Sequence, residues 1–492
     1  RIVAQGGSDE LRSAAFSWGR MTSAYEAFIS VGGSLERFWQ PDYNAQLSMP
    51  DIQETVDPSR YVEIVGTLQV GDWLHMSGRW SDYVRRYTMN SATTDIRWAG
   101  ERKAPVNQLK VAISKAIGAS HYSLSGYYQE TDYQVSDAGV VRAQSNKVSS
   151  GELLWDRRLF KRGLLTLGGS WRHNAVSGAL VRDGFLPDFL APGVSLFVPR
   201  IDQEDFTNSL TSLFGQFRYR WRGGEWWAGA RLDDHSQYDS TISYSFGLRR
   251  SLSESLHIKA TYGTAFRSPY SSQLFEDFDF EPEEISTASL QLNWAPDADR
   301  NLELTIFHSR LNNHRAEDPY GGLSSPASRE LYGAELAGRV PLITDVSVSG
   351  QLALTNAGDD LDEFSALRFC FVRPNGSNLC VYDRWVEPAD QGPVWQARFA
   401  LHWRPAPGHT LDLVARAAGA FEYSYRKGSM KGDYGQPLLV DLVWRRERCL
   451  FDGDALALRV TNLFDRDYNQ PDLYGPVAGP PLQASLRWEY RF

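Results

Sequence analysis

The eleven residues Leu482–Phe492 read LQASLRWEYRF. Leu482, Ala484, Leu486, Trp488, Tyr490 and Phe492 alternate with Gln483, Ser485, Arg487, Glu489 and Arg491. Successive strand side chains point to opposite faces, so this segment has one apolar face and one polar face. Its length suits a tilted strand crossing a bilayer. The same parity recurs upstream. Leu256, Ile258, Ala260 and Tyr262 alternate with His257, Lys259 and Thr261, and Leu302, Leu304 and Ile306 with Glu303 and Thr305. Leu411, Leu413 and Ala415 alternate with Asp412, Val414 and Arg416, and Leu456, Leu458 and Val460 with Ala457, Arg459 and Thr461. Many runs reach ten to fourteen residues, longer than the usual strand of a soluble sandwich.

The averages hide this division. The chain has 492 residues, 42% of them hydrophobic, with a net charge of −9 and a mean hydropathy of −0.40. Taken whole, those values suit a soluble acidic protein. Charged residues at 23% with 13% aromatics exclude disorder. Three cysteines exclude a disulfide scaffold. No apolar stretch reaches the length of a membrane helix. A transmembrane β-barrel escapes that test, because half of each strand faces lipid and half a polar lumen.

The connections alternate in length. Short ones fall near Arg20–Thr22, Val70–Asp72, Ala116–Ala119, Arg158–Arg162, Arg222–Gly224, Ser251–Glu254, Ala295–Arg300, Pro341–Thr344, Pro405–Gly408 and Arg446–Gly453. Between them come longer ones, such as Trp39–Asp57, Thr88–Pro105, Gly178–Asp205 and Ala357–Gln391, and a few short ones in the same slots. Ten turns and eleven loops make 22 strands. The pattern predicts an all-β fold: a 22-stranded antiparallel transmembrane β-barrel with short periplasmic turns and longer extracellular loops. Residues 1–492 form one barrel domain on this pattern, with residues 1–8 as its first strand.

Several stretches resemble TonB-dependent outer-membrane receptors. Tyr262–Pro269 reads YGTAFRSP, similar to the aromatic-FRxP segment of that family, although Gln273–Leu274 stands where a Glu-Leu step is usual. Gly229–Tyr238 (GARLDDHSQY), the G-x-E of Tyr332–Leu336 and NLFDRDY at Asn462–Tyr468 also resemble family segments. Trp488, Tyr490 and Phe492 resemble its C-terminal assembly signal. The family carries a plug domain, which contacts TonB, ahead of the barrel. Neither is recognisable here, so the expectation is a plug that is missing from this stretch or supplied as a separate chain. A plugless passive channel is the alternative, and a scaffold for a separate plug or surface lipoprotein is a further one.

The resemblance implies an importer of a scarce small-molecule ligand: a siderophore-like iron chelate, cobalamin, haem or an oligosaccharide. TonB would act through the plug, in the bacterial outer membrane. Lipid and lipopolysaccharide are the expected surroundings. Forty-three Arg against eight Lys suit lipopolysaccharide phosphates or plug carboxylates, since the planar guanidinium binds both bidentately; they equally suit plain genome composition.

Loop aromatics and acids are the ligand candidates: Trp39, Tyr43, Phe189, Trp385 and Tyr425, with Glu276, Asp277 and Asp279 in an acidic run that extends to Glu283 and Glu284. Charge runs are most often solvated faces, and Trp and Tyr at strand ends settle at the membrane interface. Arg459, Arg487, Glu489 and Arg491 are expected to face the lumen. Cys370 and Cys380 lie in a loop on the oxidising exterior, where a disulfide would persist; Cys449 is expected to be free. No phosphate-binding loop, metal motif or nucleophile–base pairing is visible. No enzyme activity, cofactor, metal or nucleic-acid partner is expected.

Overall fold

The computed structural model describes residues 1–37, 58–90, 97–137, 140–182, 202–268, 281–314, 327–358, 361–372, 378–388, 392–423, 432–435, 437–472 and 475–492. Alternation becomes an antiparallel ring. Its first half comprises β1 (Ile2–Gly7), β2 (Arg12–Met21), β3 (Tyr25–Glu36), β4 (Ser59–Val70), β5 (Leu74–Asn90), β6 (Val106–Ile117), β7 (Ser120–Asp137), β8 (Val140–Leu159), β9 (Gly163–Arg182), β10 (Asp202–Trp221) and β11 (Gly224–His235). The second half comprises β12 (Thr241–Ser251), β13 (Leu256–Arg267), β14 (Glu283–Trp294), β15 (Asn301–His314), β16 (Ala327–Ile343), β17 (Val346–Ala357), β18 (Trp395–Trp403), β19 (His409–Ala418), β20 (Leu439–Glu447), β21 (Asp454–Thr461) and β22 (Gln483–Tyr490). Each strand pairs with its neighbours, and β1 closes on β22 from Ile2↔Tyr490 to Gly7↔Ser485. The result is a closed 22-stranded barrel.

One short strand, Arg97–Lys103, lies outside the ring count. It pairs with the far ends of β5 and β7. The expected loop Thr88–Pro105 is therefore partly strand. Loop Ala357–Gln391 likewise contains a hairpin, Leu361–Val372 with Asn378–Pro388. Smaller hairpins occupy two later loops, Phe421–Tyr423 with Gly432–Tyr434 and Asn469–Asp472 with Gly475–Ala478. Backbone polar groups that leave the ring must still be paired, and hairpins pair them locally.

Strand lengths vary around the wall. β8, β9 and β10 have 20 residues each, while β21 and β22 have 8. At about 3.3 Å per residue and a ~45° tilt, a 20-residue strand rises roughly 45 Å, against an apolar band of about 25 Å. The β8–β10 sector thus stands well clear of the membrane on the loop side.

The two faces separate as parity requires. Large apolar residues remain exposed on one face, among them Phe16, Ile64, Leu109, Leu124, Leu153, Leu213, Leu290 and Ile306. In water this would be an aggregation surface; in a bilayer it is the lipid contact. On β22, Trp488 stacks on Tyr490 with ring centroids 6.1 Å apart. Phe492 stacks on Phe16 of β2 at 6.3 Å, so the terminal aromatic packs across the seam. On the opposite face, aromatic rings lie over glycines of the adjacent strand: Trp227 over Gly247, Phe214 over Gly168 and Phe307 over Gly333. A Cβ at any of these glycines would overlap the ring.

Tight turns close the periplasmic end. Gly453 shows why glycine is needed there. Its φ is +91°, and an added Cβ would meet the Arg491 carbonyl oxygen at 2.5 Å. In the turn before β15 the Asp297 carboxylate accepts the Asp299 and Arg300 amides at 3.0 and 2.8 Å.

Candidate functional site

The extracellular end of β10–β15 gathers the polar residues of the sequence motifs. Within GARLDDHSQY, Arg231 and Asp233 share a strand face, and the register places Ser212 opposite Asp233 and Phe214 opposite Arg231. Asp233 and Ser212 are buried to 2% and 1% exposure. Arg231 Nε donates to both Asp233 oxygens, at 2.8 and 2.9 Å. Ser212 Oγ donates to Asp233 Oδ1 at 2.5 Å, and Arg231 Nη2 donates to Ser212 Oγ at 2.7 Å. The guanidinium lies 5.3 Å from the Phe214 ring centroid. A buried carboxylate with two such partners has its charge compensated, which makes this a rigid wall rather than an open ligand contact.

Beyond that network, the side chains are less committed. His235 stacks on Tyr238 with centroids 3.9 Å apart and planes 12° apart. Tyr238 meets Phe266 edge-on at 6.4 Å, and its hydroxyl bonds Ser268 Oγ at 3.0 Å. Burial raises the Tyr238 phenol above its usual range. His235, Tyr238 and Phe266 form an aromatic ledge that a planar or apolar ligand group can stack on.

The FRSP arginine has a structural partner. Arg267 Nη2 donates to Glu283 Oε1 at 2.7 Å, and His314 Nδ1 contacts the same oxygen at 3.0 Å. Glu283 therefore does not belong to a solvated acidic loop: it begins β14, nearly buried, and its carboxylate is already occupied. The signal that could have found this was the opposed register of β13 and β14, which sets Arg267 against Glu283.

The other expected residues divide sharply. Trp39, Tyr43, Phe189, Glu276, Asp277, Asp279 and Tyr425 lie outside the described residues. Trp385 is placed only by its backbone, opposite Phe364 in the loop hairpin. That hairpin's register also sets Cys370 directly against Cys380. Cys449 is free, in the turn before β21.

At the periplasmic end the expected polar face is assembled around one carboxylate. Glu489, 5% exposed, is met by Arg1 Nη2 at 2.8 Å, Arg491 Nε at 2.7 Å and Arg487 Nη2 at 3.7 Å. Arg459 of β21 stands opposite Ser485 on the same strand face as Arg487 and Glu489. Arg1 was not singled out in the sequence; it joins the cluster because β1 and β22 close the ring.

One arrangement was invisible in the sequence. Ser349 Oγ lies 2.9 Å from His402 Nε2, and His402 Nδ1 lies 2.6 Å from Asp412 Oδ1. This chain crosses β17, β18 and β19, so no local motif announces it. It has the order of a nucleophile–base–acid series, but acyl transfer also needs donors aimed at an oxyanion. The backbone amides around Ser349 sit within strand ladders on both sides. The series ties β17, β18 and β19 together through their polar side chains. Among the described residues, no cluster of His, Cys, Asp and Glu could hold a metal ion.

Comparison with known proteins adds the following. The sequence profile of the family described as TonB dependent receptor-like, beta-barrel, matches residues 36–447. The vitamin B12 transporter BtuB of Vibrio vulnificus (strain CMCP6) is 24% identical over 226 residues, covering 44% of this chain and 33% of that transporter. The chain therefore matches only about a third of the length of that curated relative. Among solved structures, the FrpB iron transporter of Neisseria meningitidis has a TM-score of 0.74 at 13% identity, covering 100% of this chain and 80% of that one. The ferric-catecholate import receptor Fiu of E. coli K12 gives 0.71 at 12% identity, with 100% and 81% covered. The siderophore receptor PirA of Pseudomonas aeruginosa gives 0.64 at 16% identity, with 99% and 78% covered. At these identities the structural likeness concerns the fold.

Proposed function

The chain belongs to the TonB-dependent receptor β-barrel family of the outer membrane, and from that premise we propose that it is the barrel of an active importer for a scarce iron chelate or a cobalamin-like ligand. The family match over residues 36–447 carries the proposal. The similar transporters named above, with their iron, siderophore and vitamin B12 cargoes, support the ligand class.

In this reading the loops and the ledge of His235, Tyr238 and Phe266 receive the ligand, together with Trp39, Tyr43, Phe189, Trp385, Tyr425 and the acidic residues Glu276, Asp277 and Asp279. A plug domain occupies the lumen, and TonB acts on it from the periplasm. Arg487, Glu489 and Arg491 face that lumen near its periplasmic mouth, and Arg459 faces it nearer the outer end of β21, opposite Ser485. A Cys370–Cys380 disulfide stiffens the longest loop. Lipopolysaccharide surrounds the outer rim.

The test is a fluorescence titration of the purified protein with a panel of ferric catecholate, ferric hydroxamate, cobalamin and haem. One member should quench tryptophan emission saturably, and Tyr238→Ala should weaken that binding. Absence of saturable binding to every member removes the proposed ligand class. Undiminished binding by Tyr238→Ala removes the ledge from the site.

A further inference from the structure

The outward face of β2–β5 changes character where its apolar stripes end. Phe16 of β2, Leu35 of β3, Ile64 of β4 and Trp80 of β5 are exposed apolar residues of the lipid face. Further toward the loops, at positions of the same parity, come Arg12, Arg37, Arg60 and Arg86. Register sets a fifth cation beside them. Arg12 pairs with Leu35, Leu35 with Arg60, Arg60 with Val84, and Val84 with Lys103 of the short strand Arg97–Lys103. Arg12, Arg60 and Lys103 thus recur at every second strand of one row, roughly 9.5 Å apart. Opposed residues share a face, and Leu35 lies on the lipid face. The row therefore points away from the lumen, and no lumenal occupant reaches it.

Among the described residues, three carboxylates meet these five cations. Glu10 takes Arg37 at 3.1 Å, Asp82 takes Arg60 at 3.2 Å, and Glu101 takes Arg86 and Lys103 at 2.9 and 3.0 Å. Arg37, Arg60 and Lys103 keep 40%, 51% and 42% of their side-chain surface exposed, and ion pairs that wet are weak enough to share donors with an incoming anion. The β14–β16 sector does not repeat the pattern. Beyond Leu290 of β14 come Ser286 and Glu284, and His308 and Arg310 of β15 face Glu330 of β16. With strands tilted by ~45°, the row from Arg12 to Lys103 climbs roughly 13 Å. A phospholipid offers one thin layer of phosphates, whereas the phosphorylated sugars of lipopolysaccharide offer phosphates at several depths.

We propose that the outward face of β2–β5 is a binding site for lipopolysaccharide. Arg12, Arg60 and Lys103 hold phosphates of its headgroup, the guanidinium forks bidentately, and Arg37 and Arg86 raise the local potential. The site rests on the placement of the barrel in the outer membrane and on no imported ligand.

The test is a titration of the purified full chain, in neutral detergent, with lipopolysaccharide and with its dephosphorylated form, read by native mass spectrometry. The phosphorylated form should bind saturably, and the dephosphorylated form about tenfold more weakly or worse. The triple substitution Arg12→Gln, Arg60→Gln and Lys103→Gln should lower affinity for the phosphorylated form by a similar factor. Arg20→Gln, at the periplasmic end of the same face of β2, should leave it unchanged, and heat-modifiable gel migration should show all variants folded. Equal binding of the two forms by the unaltered chain overturns the proposal, as does undiminished affinity in the folded triple variant. Phosphatidylglycerol bound as tightly as lipopolysaccharide would also overturn it, because the patch would then select charge alone. No transported ligand or gradient enters this assay, so a failure of the importer reading in uptake experiments leaves its outcome standing.

Discussion

Replacing Arg231 should cost more than replacing Asp233, although the two form one ion pair. Asp233 is 2% exposed and Ser212 is 1% exposed, whereas the Arg231 side chain is 38% exposed. Arg231→Ala leaves a carboxylate buried with only the Ser212 hydroxyl and the barrel wall around it. Stranding a buried charge in this way costs about 3–5 kcal/mol. Asp233→Ala leaves the guanidinium able to turn into water, so its loss is screened. What remains is the Ser212 hydroxyl without its acceptor and the lost hydrogen bonds, about 1–3 kcal/mol. Replacing both with apolar residues of similar size should be less harmful than Arg231→Ala alone. The assay is reversible urea unfolding of the barrel in lipid vesicles, followed by tryptophan emission and heat-modifiable migration. The reasoning fails if Asp233→Ala destabilises as much as Arg231→Ala, or if either changes stability by less than about 0.5 kcal/mol.

Other consequences follow from the same contacts. Gly247→Val should destabilise the wall by about 1–3 kcal/mol or more, because the new side chain occupies the space of the Trp227 ring; unfolding curves that match the unaltered protein would contradict it. Glu489→Ala should weaken closure between β1 and β22, since Arg1, Arg487 and Arg491 would face one another without a shared anion; earlier hydrogen exchange of the β1 amides than of β15 amides would show it. Removing Phe492 should lower the yield of barrel assembled in the membrane, and an unchanged yield would deny it the assembly role. Alkylation after reduction should add mass at both Cys370 and Cys380 that is absent without reduction; equal masses with and without reductant would remove the bridge.

The barrel was legible because period-two alternation acts at every strand and the turn slots fix the count. Leu482–Phe492 showed both faces at once, and the register with β1 and β21 confirms the parity. Strand ends were less legible. Arg97–Lys103 and the Leu361–Val372 hairpin are strands outside the ring, and nothing in their composition separates them from loop. Clusters were the least legible part. Arg231 and Asp233 sit two residues apart, but Ser212 reaches them only through the β10–β11 register. Ser349, His402 and Asp412 need three strands in register. Glu283 read as one more acid in a charged run until β13 placed Arg267 against it. Sequence parity tells which face a residue takes, but only register tells whom it meets there.

Uptake by living cells tests the central claim most directly. Cells carrying the natural protein and cells lacking it are supplied with labelled ferric chelates and cobalamin, with the inner-membrane gradient intact or collapsed. The importer account predicts that one ligand accumulates only when both the protein and the gradient are present. Accumulation that persists after the gradient is collapsed, or that is the same without the protein for every ligand, would contradict it.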